Sequence, residues 1–399
     1  MSSDPRSVEK LDIFQNEIRA GSLLRTAKGC AFEYDDAFFT AHKDSPGGIA
    51  TTLPFSRRRT EIEGDSLPTY FAGLLPEGRR LSAMLSRLKT SADDLFTLLV
   101  AAGPNCVGDL FPVLPRSRKQ PLDEDEQKTE LDALSFTQLF ADTLESMTPA
   151  IAGVQEKLSP SMISFPFATS GRRWLLKLNP PDRELLVENE FFFMNMAKMC
   201  GLDVPGMHLV KDRDGLSGLL VQRFDRVRVA RQWRGVRQED ACQFLDRYPA
   251  DKYRVSMQDI ADRLKVCAAP AVARARLLEQ LAFSYLIGNG DLHAKNVSIT
   301  APQGITQLSP AYDVICTRPY GDQSLALEFE GRNKNVKRRD FINFGERFGV
   351  LRKAVEARLD RLLESARPFG KRFGELGYDA RLTKQISTQF NARLEQLKA

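Results

Sequence analysis

The run of apolar and polar positions changes character several times along this chain, and each change marks an element or a boundary. Near the start, Gly29-Cys-Ala-Phe-Glu-Tyr34 and Ile49-Ala-Thr-Thr-Leu-Pro54 have the length and apolar content of strands, and from Leu67 to Leu99 apolar residues return at helical spacing. Residues 1–114 therefore predict a first α/β unit. Pro115 to Glu130 breaks the pattern with charge and almost no apolar side chain, which predicts a linker over 115–130 leading into a helix at about 131–145. Beyond it, Arg173-Trp-Leu-Leu-Lys-Leu178 predicts a strand with Lys177 among apolar neighbours. Leu185 to Cys200 predicts a strongly amphipathic helix, and Met207 to Phe224 a hairpin turning at Asp212-Arg-Asp-Gly215. These elements group residues 131–255 into one mixed region. Residues 256–399 are mainly helical, broken by one polar loop and hairpin, and no internal repeat or low-complexity tract occurs.

The break in the helical region carries the chemistry. In Leu286-Ile-Gly-Asn-Gly-Asp-Leu-His-Ala-Lys-Asn-Val297 an apolar approach ends in a polar loop and resumes as an apolar strand. Asp291 is followed five positions later by Asn296, the spacing with which phosphotransferases orient a substrate hydroxyl and hold a metal ion from one turn. Such a loop calls for a second carboxylate on the next hairpin. After the turn Ala301-Pro-Gln-Gly304 comes Leu308-Ser-Pro-Ala-Tyr-Asp-Val-Ile315, which places Asp313 where a divalent cation would be shared with Asn296. Asp and Asn are also ordinary turn residues, because their side chains bond nearby backbone. The ordered series of helix, Gly-Asn-Gly-Asp, His, Asn, strand, turn, strand and Asp outweighs that reading.

A lysine inside an apolar strand needs a partner. Nucleotide phosphates, with a helix glutamate such as Glu190 completing an ion pair, would satisfy Lys177; the competing reading is an edge lysine reaching solvent. His293 reads as a hydrogen-bonding member of the loop rather than a metal ligand, since His42 and His208 lie in distant segments. Ahead of the Lys177 strand, Ala152-Gly-Val-Gln-Glu-Lys157 sits where a phosphate loop belongs, although it is neither a Walker A nor a G-x-G-x-x-G sequence. Its glycine lets backbone N–H groups approach a phosphate, and Gln155 and Lys157 add donors.

Composition narrows the setting. With 399 residues the chain exceeds the usual size of a single core, so two or three subdomains are expected, and 42% hydrophobic with 27% charged residues allows ordinary cores. No apolar run approaches the roughly 20 residues that span a bilayer. The polar start Met1-Ser-Ser-Asp-Pro-Arg6 and six scattered cysteines without a C-x-x-C pair predict a reduced, cytoplasmic setting with no membrane contact. A net charge of +5 is a weak bias, and the basic clusters Arg57-Arg-Arg59 and Lys334-Asn-Val-Lys-Arg-Arg339 read as solvated faces rather than a nucleic-acid patch.

Taken together with Leu176-Lys-Leu178, Val187-Glu-Asn-Glu190, Val221-Gln-Arg-Phe-Asp-Arg226, Glu239-Asp-Ala-Cys-Gln243, Pro310-Ala-Tyr-Asp313 and, before the linker, Tyr70-Phe-Ala-Gly-Leu-Leu-Pro-Glu-Gly78, these motifs make the chain resemble the HipA-like serine/threonine kinases, toxins of bacterial toxin–antitoxin pairs. The resemblance covers essentially the whole chain. It implies an α+β, two-lobed, protein-kinase-like fold with an additional N-terminal α/β subdomain and a mainly helical C-terminal lobe. It also implies ATP and Mg²⁺ as cofactors. Asp291 would be the catalytic base, with His293 beside it in the catalytic loop, Asn296 and Asp313 the metal ligands, and Lys177 the phosphate-contacting lysine. Ala152, Gly153, Val154, Gln155, Glu156 and Lys157 would form the phosphate loop, and Gln222, Arg223 and Phe224 the hinge along adenine, with Lys295 and Tyr312 also on the nucleotide side.

The implied partners are a small helix-turn-helix antitoxin, HipB-like, with DNA contacted only through it, and an aminoacyl-tRNA synthetase as protein substrate. Asp225 with Arg226, and Glu239 with Gln243, read as lobe-stabilising or substrate-side polar residues. One position departs from the family pattern: where many relatives carry an autophosphorylated serine, this chain has Ala150, so either self-regulation lies elsewhere, with Ser146 and Thr148 as neighbouring candidates, or the alanine is an engineered replacement that traps an active form. Gly290-Asp-Leu-His also resembles aminoglycoside and choline kinases, so a small-molecule kinase is an alternative, as is a non-catalytic co-repressor of the antitoxin. The phosphate loop and the N-terminal subdomain speak against the first, and the joint presence of Lys177, Asp291, Asn296 and Asp313 against the second.

Overall fold

A computed structural model of the chain describes residues 4–64, 66–103, 106–115, 133–145, 162–169, 172–322 and 324–398. The first unit is built on strands β1 (Lys10–Gln15), β2 (Ile18–Thr26) and β3 (Gly29–Tyr34), helix α1 (Asp36–His42), strands β4 (Gly48–Ala50), β5 (Leu53–Pro54) and β6 (Arg59–Glu63), helices α2 (Thr69–Gly73), α3 (Gly78–Leu88) and α4 (Leu95–Ala102), and strand β7 (Leu110–Val113). Five of the strands form an antiparallel sheet in the order β6-β3-β2-β1-β7. Leu11 and Ile13, two apart on β1, put their side chains on the same face and enter a core with Phe32, Phe71, Phe96 and Leu99. Two details differ from the sequence reading. The stretch 49–54 is a hairpin of β4 and β5 rather than one strand. The helical pattern from Leu67 to Leu99 is three helices, with the side chain of Asp94 capping the last by accepting from the Thr97 N–H.

The small lobe contains α5 (Phe136–Glu145), β8 (Ile163–Thr169), β9 (Arg172–Leu178), α6 (Leu186–Met199), β10 (Met207–Lys211) and β11 (Ser217–Gln222), the strands ordered β10-β11-β9-β8. Trp174, Leu176 and Leu178 of β9 face Phe136 and Phe140 of α5. The period of two turns Lys177 to the opposite face, where Leu219 and Val221 of β11 pack on Leu186 and Val187 of α6. A strongly amphipathic α6 was expected, but this helix is buried on more than one side. Glu190, Leu186 and Val187 meet the sheet, while the Phe193 ring lies 5.9 Å from that of Phe373 in the other lobe.

A ribbon of β12 (Arg226–Val229) and β13 (Gln232–Gly235) leads into the C-terminal lobe: β14 (Gln238–Asp240), α7 (Ala241–Phe244), α8 (Met257–Arg263), α9 (Pro270–Ile287), β15 (Ser298–Thr300), β16 (Gln307–Leu308), α10 (Arg338–Arg347), α11 (Arg352–Ala366) and α12 (Ala380–Lys398). The boundary expected at 255 falls too late. β14 pairs with β15, and Ala241, Cys242 and Phe244 join the large core of the helical lobe, so its first element is β14. The helix α12 braces the end of α9: the Arg393 guanidinium donates to the Tyr285 carbonyl at 2.6 Å, and the Tyr285 hydroxyl to Gln396 at 2.9 Å.

The first unit is joined to the rest by buried polar groups. Asp225 accepts from both Arg223 and Arg226 at 2.7 Å and from the Gly108 N–H at 3.0 Å, while the two arginines donate to the Cys106 carbonyl. Burial would raise the Asp225 carboxyl, but the paired guanidiniums hold it well below the usual carboxylate range. Glu239 accepts from the Thr51 N–H at 3.0 and 2.9 Å and from Arg237 at 2.6 Å. Gln243 donates to the Tyr70 carbonyl at 2.8 Å. The residues Asp225, Arg226, Glu239 and Gln243 therefore serve this interface.

Candidate active site

Two short loops and one strand converge between the lobes. Helix α9 stops at Gly288, whose φ of +77° is the left-handed turn that ends a helix without a Cβ penalty. Gly290 is required for closeness: a Cβ there would sit 2.7 Å from the Ser324 carbonyl oxygen and 2.8 Å from the Asp322 carboxyl carbon. Its N–H donates to the Thr317 hydroxyl at 2.8 Å. Asp291 follows, 2% exposed, its N–H held by Asn289 Oδ1 at 2.8 Å. The Asn296 amide nitrogen donates to the Asp291 carbonyl at 2.8 Å, which closes the loop and leaves Oδ1 as the atom Asn296 has to offer a cation.

Lys177 is the electrostatic centre. Its ammonium donates to Glu190 Oε1 and Oε2 at 2.7 and 2.9 Å and also pairs with Asp313. Burial opposes the lysine's charge, but the Asp313 and Glu190 carboxylates outweigh it and keep the ammonium protonated. Burial, helped by the Asp313 charge, pushes the Glu190 carboxyl above its usual range, and Lys177 offsets part of that rise. Asp313 has a φ of +53°, rare for a residue with a side chain. Three residues on, the Cys316 backbone is fixed by Asn189 of α6, which accepts from its N–H at 2.9 Å and donates to its carbonyl at 3.0 Å.

The remaining predicted residues fall into three groups. Gln222 ends β11, and the Phe224 ring lies 5.8 Å from the ring of Tyr312, whose hydroxyl donates to the Lys295 carbonyl at 2.7 Å. The side chains of Arg223 and Lys295, expected on the nucleotide side, turn toward the first unit. Arg223 joins the Asp225 cluster. Lys295 is engaged by Asp240 at 2.6 Å and the Gly73 carbonyl at 3.1 Å, because two buried cation–acceptor sites at that interface need these charges. The phosphate loop from Ala152 to Lys157, together with Ser146, Thr148 and Ala150, lies outside the described residues.

Sequence reasoning missed Tyr253, whose hydroxyl donates to Asp291 Oδ1 at 3.1 Å. It also missed Thr317. His293 is buried, with Nε2 4.0 Å from Asp291 Oδ1 and its ring edge-on to Tyr253 at 5.0 Å.

A small lobe with a sheet lysine clamped by a helix glutamate, set over a helical lobe whose loop carries an aspartate and an asparagine, defines a protein-kinase-like fold. Residues 11–111 match the HipA N-terminal domain family and residues 149–368 the HipA-like C-terminal domain family, so the chain belongs to the HipA-like proteins. Among its relatives, "Putative kinase Y4mE" of Sinorhizobium fredii is 31% identical over 364 residues, 84% of each chain. The "Serine/threonine-protein kinase toxin HipA" of Shewanella oneidensis is 26% identical over 312 residues, covering 71% of this chain and 70% of that one. The solved Shewanella oneidensis HipA, in complex with HipB and its operator DNA, shares the fold with a TM-score of 0.77 at 20% identity over 97% of both chains. No described helix is long and apolar enough to cross a membrane.

Proposed function

We propose that this chain is an ATP- and Mg²⁺-dependent protein serine/threonine kinase acting as the toxin of a toxin–antitoxin pair in the cytoplasm. The observation that carries the reading is the buried Lys177 ammonium shared by Glu190 and Asp313, the latter on a segment tied to the Asp291–Asn296 loop by the Tyr312 hydroxyl on the Lys295 carbonyl and the Gly290 N–H on the Thr317 hydroxyl. Two carboxylates on one lysine exceed what a structural ion pair needs, since each desolvated charge costs several kcal/mol. Asp313 already receives a cation in the form of that ammonium, and Asn296 offers a neutral oxygen, a donor set of the hard, oxygen-only kind Mg²⁺ takes alongside phosphates. Mg²⁺-ATP, when bound, supplies the transferable phosphoryl group and neutralises its charge.

The chain's own residues then have separable tasks. Lys177 would hold the α/β-phosphates while Glu190 keeps its side chain extended. Asp291 would orient the acceptor hydroxyl and take its proton. Asn296 and Asp313 would hold the metal, residues 152–157 would cover the phosphates, and Gln222 to Phe224 with Tyr312 would border adenine.

The kinase names of the relatives support the reaction, and the HipA–HipB–operator complex of Shewanella oneidensis supports an antitoxin as partner; the partner proposed is a small helix-turn-helix protein through which DNA is reached. An aminoacyl-tRNA synthetase is the proposed substrate. The test is phosphoproteomics after induced expression, with the Asp291→Gln variant as control, followed by transfer from Mg²⁺-[γ-³²P]ATP to the protein identified. Growth arrest with serine or threonine phosphorylation that disappears in the variant is expected. Equal phosphorylation by both chains would overturn the reading.

A further inference from the structure

The loop between α7 and α8 places Lys252 and Tyr253 against the catalytic loop from two directions. The Lys252 carbonyl accepts from the Ala294 N–H at 3.0 Å, so its backbone is bonded directly to the segment after Asp291. Tyr253 lies beside it, its hydroxyl on Asp291 Oδ1 at 3.1 Å and its ring against His293. Burial first, and the Asp291 charge second, push the phenol's ionisation up, so this group remains a donor across the working pH range. A base that must meet an incoming hydroxyl has to present one oxygen along a fixed direction. A hydrogen bond to the other oxygen sets the rotation of the carboxylate.

The same dipeptide is anchored to the first unit. The Lys252 ammonium donates to Glu77 Oε2 at 2.7 Å, and the two side chains are only 12% and 25% exposed. Glu77 precedes the first turn of α3, in the Leu-Leu-Pro-Glu-Gly stretch between α2 and α3. The α2–α3 connection holds the catalytic loop a second time. Lys295, between Asp291 and the following strand, donates to the Gly73 carbonyl at 3.1 Å and lies 4.0 Å from Glu77 Oε1.

We propose that Tyr253 is a positioning residue for Asp291, and that the N-terminal unit governs the rate of phosphoryl transfer through the Glu77–Lys252 ion pair that holds Tyr253 in place. This rests on the kinase reading above. The N-terminal unit is then part of the catalytic apparatus, reaching the base through one ion pair and one phenol.

The test uses the full chain and two kinds of measurement. In steady-state kinetics, Tyr253→Phe lowers kcat about 10- to 100-fold, the range expected when a reacting group is slightly misplaced, while KM for ATP and the melting temperature stay close to wild type. Glu77→Gln and Lys252→Met each lower kcat, their double variant is no worse than the more impaired single one, and Lys252→Arg retains most of the activity. A Tyr253→Phe enzyme with wild-type kcat, or Glu77 and Lys252 effects that multiply independently, would overturn the proposal.

Hydrogen exchange of the His293 to Asn296 amides provides an arm that needs no turnover. Glu77→Gln and Lys252→Met should each speed exchange there at least about tenfold relative to wild type, since the Ala294 N–H bond to Lys252 is then unanchored. Unchanged exchange in both variants would overturn the coupling whatever the chain phosphorylates. A wild-type chain that transfers no phosphate while the variants still loosen the loop would sink the kinase reading and leave the coupling standing.

Discussion

Lys177 carries two carboxylates at once, and its removal should be felt in folding as well as in chemistry. Lys177→Met leaves Glu190 and Asp313 facing one another in a site where burial already disfavours charge. Removing one partner of a buried pair costs about 3–5 kcal/mol. The loss should grow as pH rises: without the ammonium, Glu190 holds its proton more tightly in the folded than in the unfolded chain, so stability falls as pH climbs above the unfolded carboxylate pKa. Urea denaturation of the variant and the wild type at pH 5 and pH 8 checks this, and a pH-independent difference would contradict it. Asp291→Asn, by contrast, should abolish transfer while calorimetry finds ATP affinity within a few-fold of wild type, because in its proposed role Asp291 meets the acceptor hydroxyl rather than the nucleotide. Asp313→Ala should weaken Mg²⁺-ATP binding more than Asn296→Ala, since a full charge would leave the proposed hard-cation site. Equal, metal-independent affinities in the two variants would remove Asp313 from the site.

Among the elements, what the sequence made legible was whatever is local. The loop from Gly288 to Asn296 could be read because its own helix cap, turn and hydrogen bonds lie within a few residues, and Lys177 with Glu190 because a strand and the next helix have recognisable periods. Tyr253 could not be found that way. It meets Asp291 across 38 positions and Lys252 meets Glu77 across 175, and such contacts leave no periodic trace in either segment. The burial of α6 escaped for a related reason: apolar residues around a helix tell that it is covered, but only the position of the second lobe tells by what.

The interface with the first unit also has a titratable weak point. Asp109, beside β7, is 5% exposed; Gln15 donates to its Oδ2 at 2.9 Å, and its Oδ1 has no hydrogen-bond partner among the described residues. Burial pushes this carboxyl up to about 6 from 3.8. The folded chain therefore binds the proton more tightly than the unfolded one, so this group's contribution falls as pH rises from about 4 to 6, by about 3 kcal/mol in all. Asp109→Asn, which keeps an acceptor for Gln15, should raise the melting temperature at pH 7.5 and change it little at pH 4.5. An equal shift at both values would show that the carboxyl is already neutral or otherwise compensated.

Across the whole molecule, the brace of α12 on the end of α9 has a consequence in time. The first unit's sheet closes when β7 pairs with β1, so that unit has its complete set of strands early in synthesis. The catalytic loop has no such independence, because Tyr285, at the end of the helix that leads into it, is held by Arg393, 108 positions downstream. At about 5–20 residues per second, a ribosome needs roughly 5–20 s to make that stretch. During this interval the nascent chain has a nearly finished interface to its first unit and an unbraced active-site loop. In the kinase proposed above, chains abandoned before α12 is made would lack this brace on the helix that leads into the Asp291–Asn296 loop.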